Sequence, residues 1–77
     1  MNSIVKNINN SLNIIIDREM NFYDLITEVR YRLNIIVSKT NNIPIILRIK
    51  NHLNDIEKKE LEETIVRFNI KNFICIN

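Results

Sequence analysis

The chain has 77 residues, 45% of them hydrophobic, with no glycine, one cysteine and a formal net charge of +2. That length gives one domain over residues 1–77, with a small core that buries only about 60% of the unfolded surface. The β-branched content excludes disorder, the lone Cys75 excludes an internal disulfide, and the faint positive charge permits acidic partners without demanding them.

The first predicted element is a strand over residues 3–8. The doublet Asn9-Asn10 follows, and a second apolar run covers residues 12–17. In a chain without glycine, asparagine is the residue best suited to left-handed turn geometry, so the pair of runs reads as a β-hairpin. From Asn21 the pattern changes period. Phe22, Leu25, Ile26, Val29, Leu33, Ile36 and Val37 recur at three- and four-residue steps, the apolar stripe of a helix. Asn21 suits its N-cap, Asp24 its positive end and Lys39 its negative end. On its polar side Asp24, Glu28 and Arg32 are four residues apart, in the favourable acid-before-base order.

Asn41-Asn42 marks the next turn. A strand over residues 43–50 follows, with Pro44 at its start or on a free edge because proline cannot donate to a ladder. Ile45, Leu47 and Ile49 share one face, and Ile46, Arg48 and Lys50 share the other. Residues 51–54 read as a loop. Asp55 is the expected cap of a second helix with an apolar stripe of Ile56, Leu61, Ile65 and Phe68, and the last strand covers residues 70–76. The order β-β-α-β-α-β, with right-handed crossovers, predicts an α/β two-layer sandwich. Its four-stranded mixed sheet has an antiparallel first strand and carries both helices on one face. The other sheet face is left bare.

Catalytic equipment is sparse. His52, the only histidine, lies in a loop where α/β active sites gather, yet Asp55 is its sole local carboxylate and a surface histidine is the simpler reading. Cys75 stands among Phe73, Ile74 and Ile76 without a cationic neighbour to activate it, and reads as a small apolar strand residue. No Cys, His and carboxylate spacing suits a metal, and a glycine-free chain holds no phosphate-binding glycine loop. The Glu62-Glu63 pair falls on a solvent face. Arg30, Tyr31, Arg32, Arg48 and Lys50 offer cations to a nucleic acid, but the sheet lacks the stacking aromatics of a single-strand binder. No enzyme activity, cofactor or nucleic-acid partner is therefore expected. No apolar run approaches the ~20 residues that cross a bilayer, and residues 1–10 lack the regions of a secretory signal, so a cytoplasmic location without membrane insertion is expected. The bare face, with Ile15, Ile46, Arg48 and Lys50, reads equally as a protein interface or as outward isoleucines kept for strand propensity.

Several segments resemble one family. Ile4-Val5-Lys6, Asn9-Asn10-Ser11-Leu12 and Ile14-Ile15-Ile16-Asp17 are similar to the opening of the amino-terminal domain of MinC, the bacterial septum-site-determining protein. Asn21-Phe22-Tyr23-Asp24-Leu25, Ile45-Ile46-Leu47-Arg48-Ile49, Leu53 and the Glu-rich residues 57–67 extend the resemblance over nearly the whole chain. It departs from the family where turn glycines are replaced by Asn7 and Ser11. The resemblance implies a non-enzymatic inhibitor of division septa that binds FtsZ and weakens its filaments. It places partner binding at Lys6, with Ile4 and Asn9 beside it, and Arg48 and Lys50 supply further cations. The family's carboxy-terminal domain, which dimerises and binds MinD, is outside this sequence, so MinD is expected as a partner only where that domain exists. Two alternatives stand beside this one. The first is a regulatory module resembling anti-sigma-factor antagonists, against which residues 51–54 offer no hydroxyl to phosphorylate. The second is a self-associating module that forms a weak homodimer through the bare face.

Overall fold

The computed structural model describes residues 3–37, 43–70 and 72–77. Its elements are β1 (Ile4–Ile8), β2 (Ser11–Ile16), α1 (Phe22–Val37), β3 (Ile45–Ile49), α2 (Asp55–Val66) and β4 (Phe73–Ile76). The sheet order is β1-β2-β3-β4. β1 is antiparallel to β2, while β2, β3 and β4 run parallel. The two-layer sandwich expected from the sequence is the observed architecture.

Strand alternation makes the core. Ile14 and Ile16 of β2 and Ile45, Leu47 and Ile49 of β3 are buried on the helix side. They meet Leu25, Ile26, Val29, Leu33 and Ile36 of α1, and Leu61 and Ile65 of α2, in one cluster. The hairpin turns through Asn9 and Asn10 at φ 50° and 63°, as a primed turn requires. Asn69, at φ 58°, has the same geometry just past α2, the place where a helix end usually calls on glycine.

Several boundaries differ from the sequence reading. The α2 N-cap is Asn54, not Asp55. The Asn54 side chain accepts from the Glu57 N–H at 2.8 Å, and the Glu57 carboxylate accepts from the Asn54 N–H at 3.0 Å. This reciprocal capping box outcompetes a cap one residue later, and Asp55 becomes the first helical residue. Ile56 is 76% exposed and leaves the predicted stripe, which runs through Leu61, Thr64 and Ile65 instead. Phe68 packs on the core from beyond the helix. β3 starts at Ile45: the Pro44 carbonyl accepts from the Leu12 N–H at 2.9 Å in the first rung of the ladder, while Pro44 itself has no N–H to donate. Lys50 falls one residue past β3, and β4 begins at Phe73 rather than residue 70. Lys39 and Asn41-Asn42 lie outside the described residues.

Two polar ties organise the ends. The Asn51 side chain accepts from the Met20 N–H at 3.0 Å and donates to the Met20 carbonyl at 2.7 Å. A buried amide thus pairs with the connection before α1 as another strand would. Ser3, also buried, donates to the Glu28 carboxylate, while the Arg32 guanidinium donates to the Ser3 hydroxyl at 2.6 Å and carbonyl at 2.7 Å. The expected Glu28–Arg32 pair is present at 3.7 Å, and it anchors the start of β1 to α1.

In urea unfolding, Asn54→Ala should cost about 1 kcal/mol, more than Asp55→Ala. Leu47→Ala, at the sheet centre, should cost about 2–5 kcal/mol. A larger loss at Asp55 than at Asn54 would contradict the assigned cap.

Candidate protein-binding face

The helices cover one side of the sheet, and strand pairing dictates what the other side shows. One row runs Ile4–Ile15–Arg48–Ile76, and the next runs Lys6–Asn13–Ile46–Ile74. Ile8 and Ser11 close the face at the hairpin. Ile4, Ile8, Ile74 and Ile76 are 54%, 43%, 57% and 41% exposed, and Ile15 and Ile46 are half-buried. The cations of this face are Lys6 and Arg48, and none of its strand positions is a carboxylate. The face thus combines exposed apolar side chains with two cations and no carboxylate at its strand positions.

Asn13 stabilises the centre of this face. It is 1% exposed despite pointing away from the helices. Its amide donates to the Ser11 carbonyl at 3.2 Å and accepts from Arg48 Nε at 2.9 Å. The bond ties the exposed Arg48 to the buried Asn13 through Nε and leaves its remaining donors for solvent or a partner.

Of the residues singled out in the sequence, Ile4, Lys6 and Arg48 share this face. Asn9 and Lys50 fall just outside its strand positions, at opposite ends of the face, with Lys50 two residues beyond Arg48. Asn9 is in the turn before β2, whereas Lys50 follows the opposite end of the parallel β3. Five to six residues of strand separate them, roughly 17–20 Å. Ile74 and Ile76 were legible only as part of the last strand, since their placement on this side depends on the β3–β4 register. The buried role of Asn13 had no sequence signal beyond a polar residue inside an apolar run.

The remaining candidates are quieter. His52 is exposed on the loop after β3, with no carboxylate bonded to it among the described residues. Among those residues no group of three His, Cys, Asp or Glu side chains can hold a metal ion, and no helix is long and apolar enough to cross a membrane. A groove of about 420 Å³ between α1 and α2 mixes Arg30 and Arg67 with Glu60 and Glu63. A cavity of about 250 Å³ between α2 and β4 includes Leu53, Leu61, Ile65, Phe73 and Cys75. There, burial pushes the Cys75 thiol above its ordinary value, and the nearby Glu62 carboxylate adds to the shift. Such a thiol is held protonated, opposite to what nucleophilic chemistry needs.

The chain matches no family model, no curated protein and no solved structure.

The raised thiol pKa gives a direct expectation. Because only the thiolate reacts, Cys75 should be alkylated by iodoacetamide more slowly at pH 7.5 than a free thiol, and its rate should rise through a midpoint above the ordinary value of about 8.5. Glu62→Gln should lower that midpoint. An unshifted rate profile would remove the assigned environment.

Proposed function

We propose that the chain is a non-catalytic protein-binding module that acts in the cytoplasm on FtsZ and weakens its filaments. The observation that carries the reading is the uncovered sheet face, where six isoleucines surround Lys6 and Arg48 without a carboxylate. Such a face suits a partner with apolar side chains and carboxylates of its own. The identity of the partner rests on the resemblance to the MinC amino-terminal domain in the residues quoted above. In this reading Lys6 orients the complex by charge, and Ile4 and its row supply the buried apolar contact. Arg48, held by Asn13, supplies a second and more rigid cation. Asn9 acts at the margin as the rigid turn of the hairpin. Lys50, just past the end of β3 beyond Arg48, adds a further cation at that end of the face for an acidic surface. MinD binding is not part of the proposal.

Sedimentation of polymerised FtsZ decides it. Adding the domain should reduce the pelleted fraction, and a labelled domain should bind FtsZ. Lys6→Glu should weaken binding about tenfold, the ~1.4 kcal/mol scale of reversing one interface charge, while leaving the thermal unfolding transition in place. Unchanged pelleting together with no detectable binding would sink the FtsZ reading, and wild-type behaviour of Lys6→Glu would remove Lys6 from the interface.

A further inference from the structure

The two edges of the sheet are not alike. β1 carries Lys6 at its middle, a charge that blunts an edge against pairing. β4 reads Phe73-Ile74-Cys75-Ile76, with no charged side chain, proline or bulge to guard it. Its backbone polarity follows from the register. The Ile45 N–H donates to the Asn72 carbonyl at 2.9 Å, and Ile45 is paired with Phe73. Parallel pairing therefore turns the backbone groups of Asn72, Ile74 and Ile76 toward β3, and those of Phe73, Cys75 and Asn77 toward the open edge.

We infer that the open edge of β4 takes the β4 of a second copy, antiparallel and centred on Cys75, to give a two-fold dimer with one continuous eight-stranded sheet. Only registers that oppose outward-turned residues form a ladder and keep both sets of helices on the same side. Among these, centring on Cys75 pairs the most residues: Cys75 with Cys75, Phe73 with Asn77, and Ile74 with Ile76. On the bare face, Ile74 and Ile76 of each copy then lie beside Ile76 and Ile74 of the other. An edge pairing of β1 would instead draw two Lys6 ammonium groups together.

The helix layer is compatible with this arrangement. α2 lies over β3 and β4, as the shared cavity of Ile49, Leu61, Ile65, Phe73 and Cys75 shows. Two copies of α2 are then two strand spacings apart, about 10 Å, the distance of packed helices. Lys58, Glu62 and Val66 are exposed at four-residue steps, and Lys58 and Glu62 stand with Cys75 at this edge. The two-fold axis passes near Glu62, so the two Glu62 carboxylates approach each other and each is answered by the other copy's Lys58, one helical turn away. The Lys58 stem also covers the other copy's exposed Val66. Five paired residues and one helix flank make a small interface, which gives a dimer that depends on concentration. This inference is independent of the FtsZ reading, since the bare face and the hairpin stay open in the pair.

Sedimentation equilibrium from about 10 µM to about 1 mM, the range of weak association, should show a monomer–dimer equilibrium. Copper phenanthroline in air should convert the dimer to a disulfide-linked pair through Cys75, because hydrogen-bonded antiparallel partners have Cα atoms about 5.5 Å apart, inside the disulfide range. Lys58→Glu, on an exposed helix position, should lower the association constant about fivefold or more without changing the fold, since it leaves only acids along that row. Cys75→Pro removes an outward N–H without touching the β3 ladder and should abolish association. A wild-type chain that stays monomeric throughout overturns the inference. So does a dimer that survives both Lys58→Glu and Cys75→Pro, or one that cross-links through Lys6→Cys placed in a Cys75→Ser background.

Discussion

The parallel register of β2, β3 and β4 is the constraint from which the rest of the molecule follows. Two parallel joins in succession require two crossover helices, and their common hand places both on one side. The period of two along each strand then sorts the side chains. Ile45, Leu47 and Ile49 enter the helix-covered core, while Ile46 and Arg48 face away from it. A slip of one residue in β3 would exchange Leu47 for Arg48 in the centre of the core. Burying a guanidinium there without a partner is far costlier than any alternative loop geometry, so the register is strongly specified. The same alternation that builds the core creates the outward face, and the candidate binding surface is the reverse side of the folding solution.

Three long-range polar contacts sharpen what apolar burial alone leaves loose. Asn51 joins the approach to α1, Ser3 is held by Glu28 and Arg32, and Asn13 receives Arg48. Each satisfies a buried or half-buried polar group at an end or centre of the sheet, where an unpaired group would be destabilising. The Asn13–Arg48 contact also links stability to recognition, because the residue that satisfies a buried amide is one that a partner would meet. A long cation already tied by a hydrogen bond has less freedom to lose on binding than an untied lysine, which gives Arg48 a different character from Lys6.

Much of this was legible in the sequence, for definite reasons. Six of the seven stripe residues of α1 reach the core, while Val37 at the helix end is 38% exposed; that stripe and the Asn9-Asn10 turn are local signals, legible without knowledge of the fold. The strand order followed from chain order and crossover hand. What was missed depended on competition or on distance. Asn54 and Asp55 are both good caps, and the choice between them needed the reach of Glu57 back to the chain. Ile56 looked like a core residue because spacing shows the period of a helix but not which residue starts its buried side. The grouping of Lys6 and Ile4 with Arg48, and the separation of Asn9 from Lys50, depend on pairings across more than 30 residues of chain. None of these has a local signature.

The asparagines of the turns have a consequence that reaches into the unfolded chain. Asn9, Asn10 and Asn69 hold left-handed backbone where most folds would place glycine. In the folded state each bears some steric cost that glycine would avoid. In the unfolded state each explores far less conformational space than glycine does, so less entropy is lost when the turn forms. For a chain of 77 residues with a small core, a narrower denatured ensemble is a contribution to stability that no inventory of native contacts reveals.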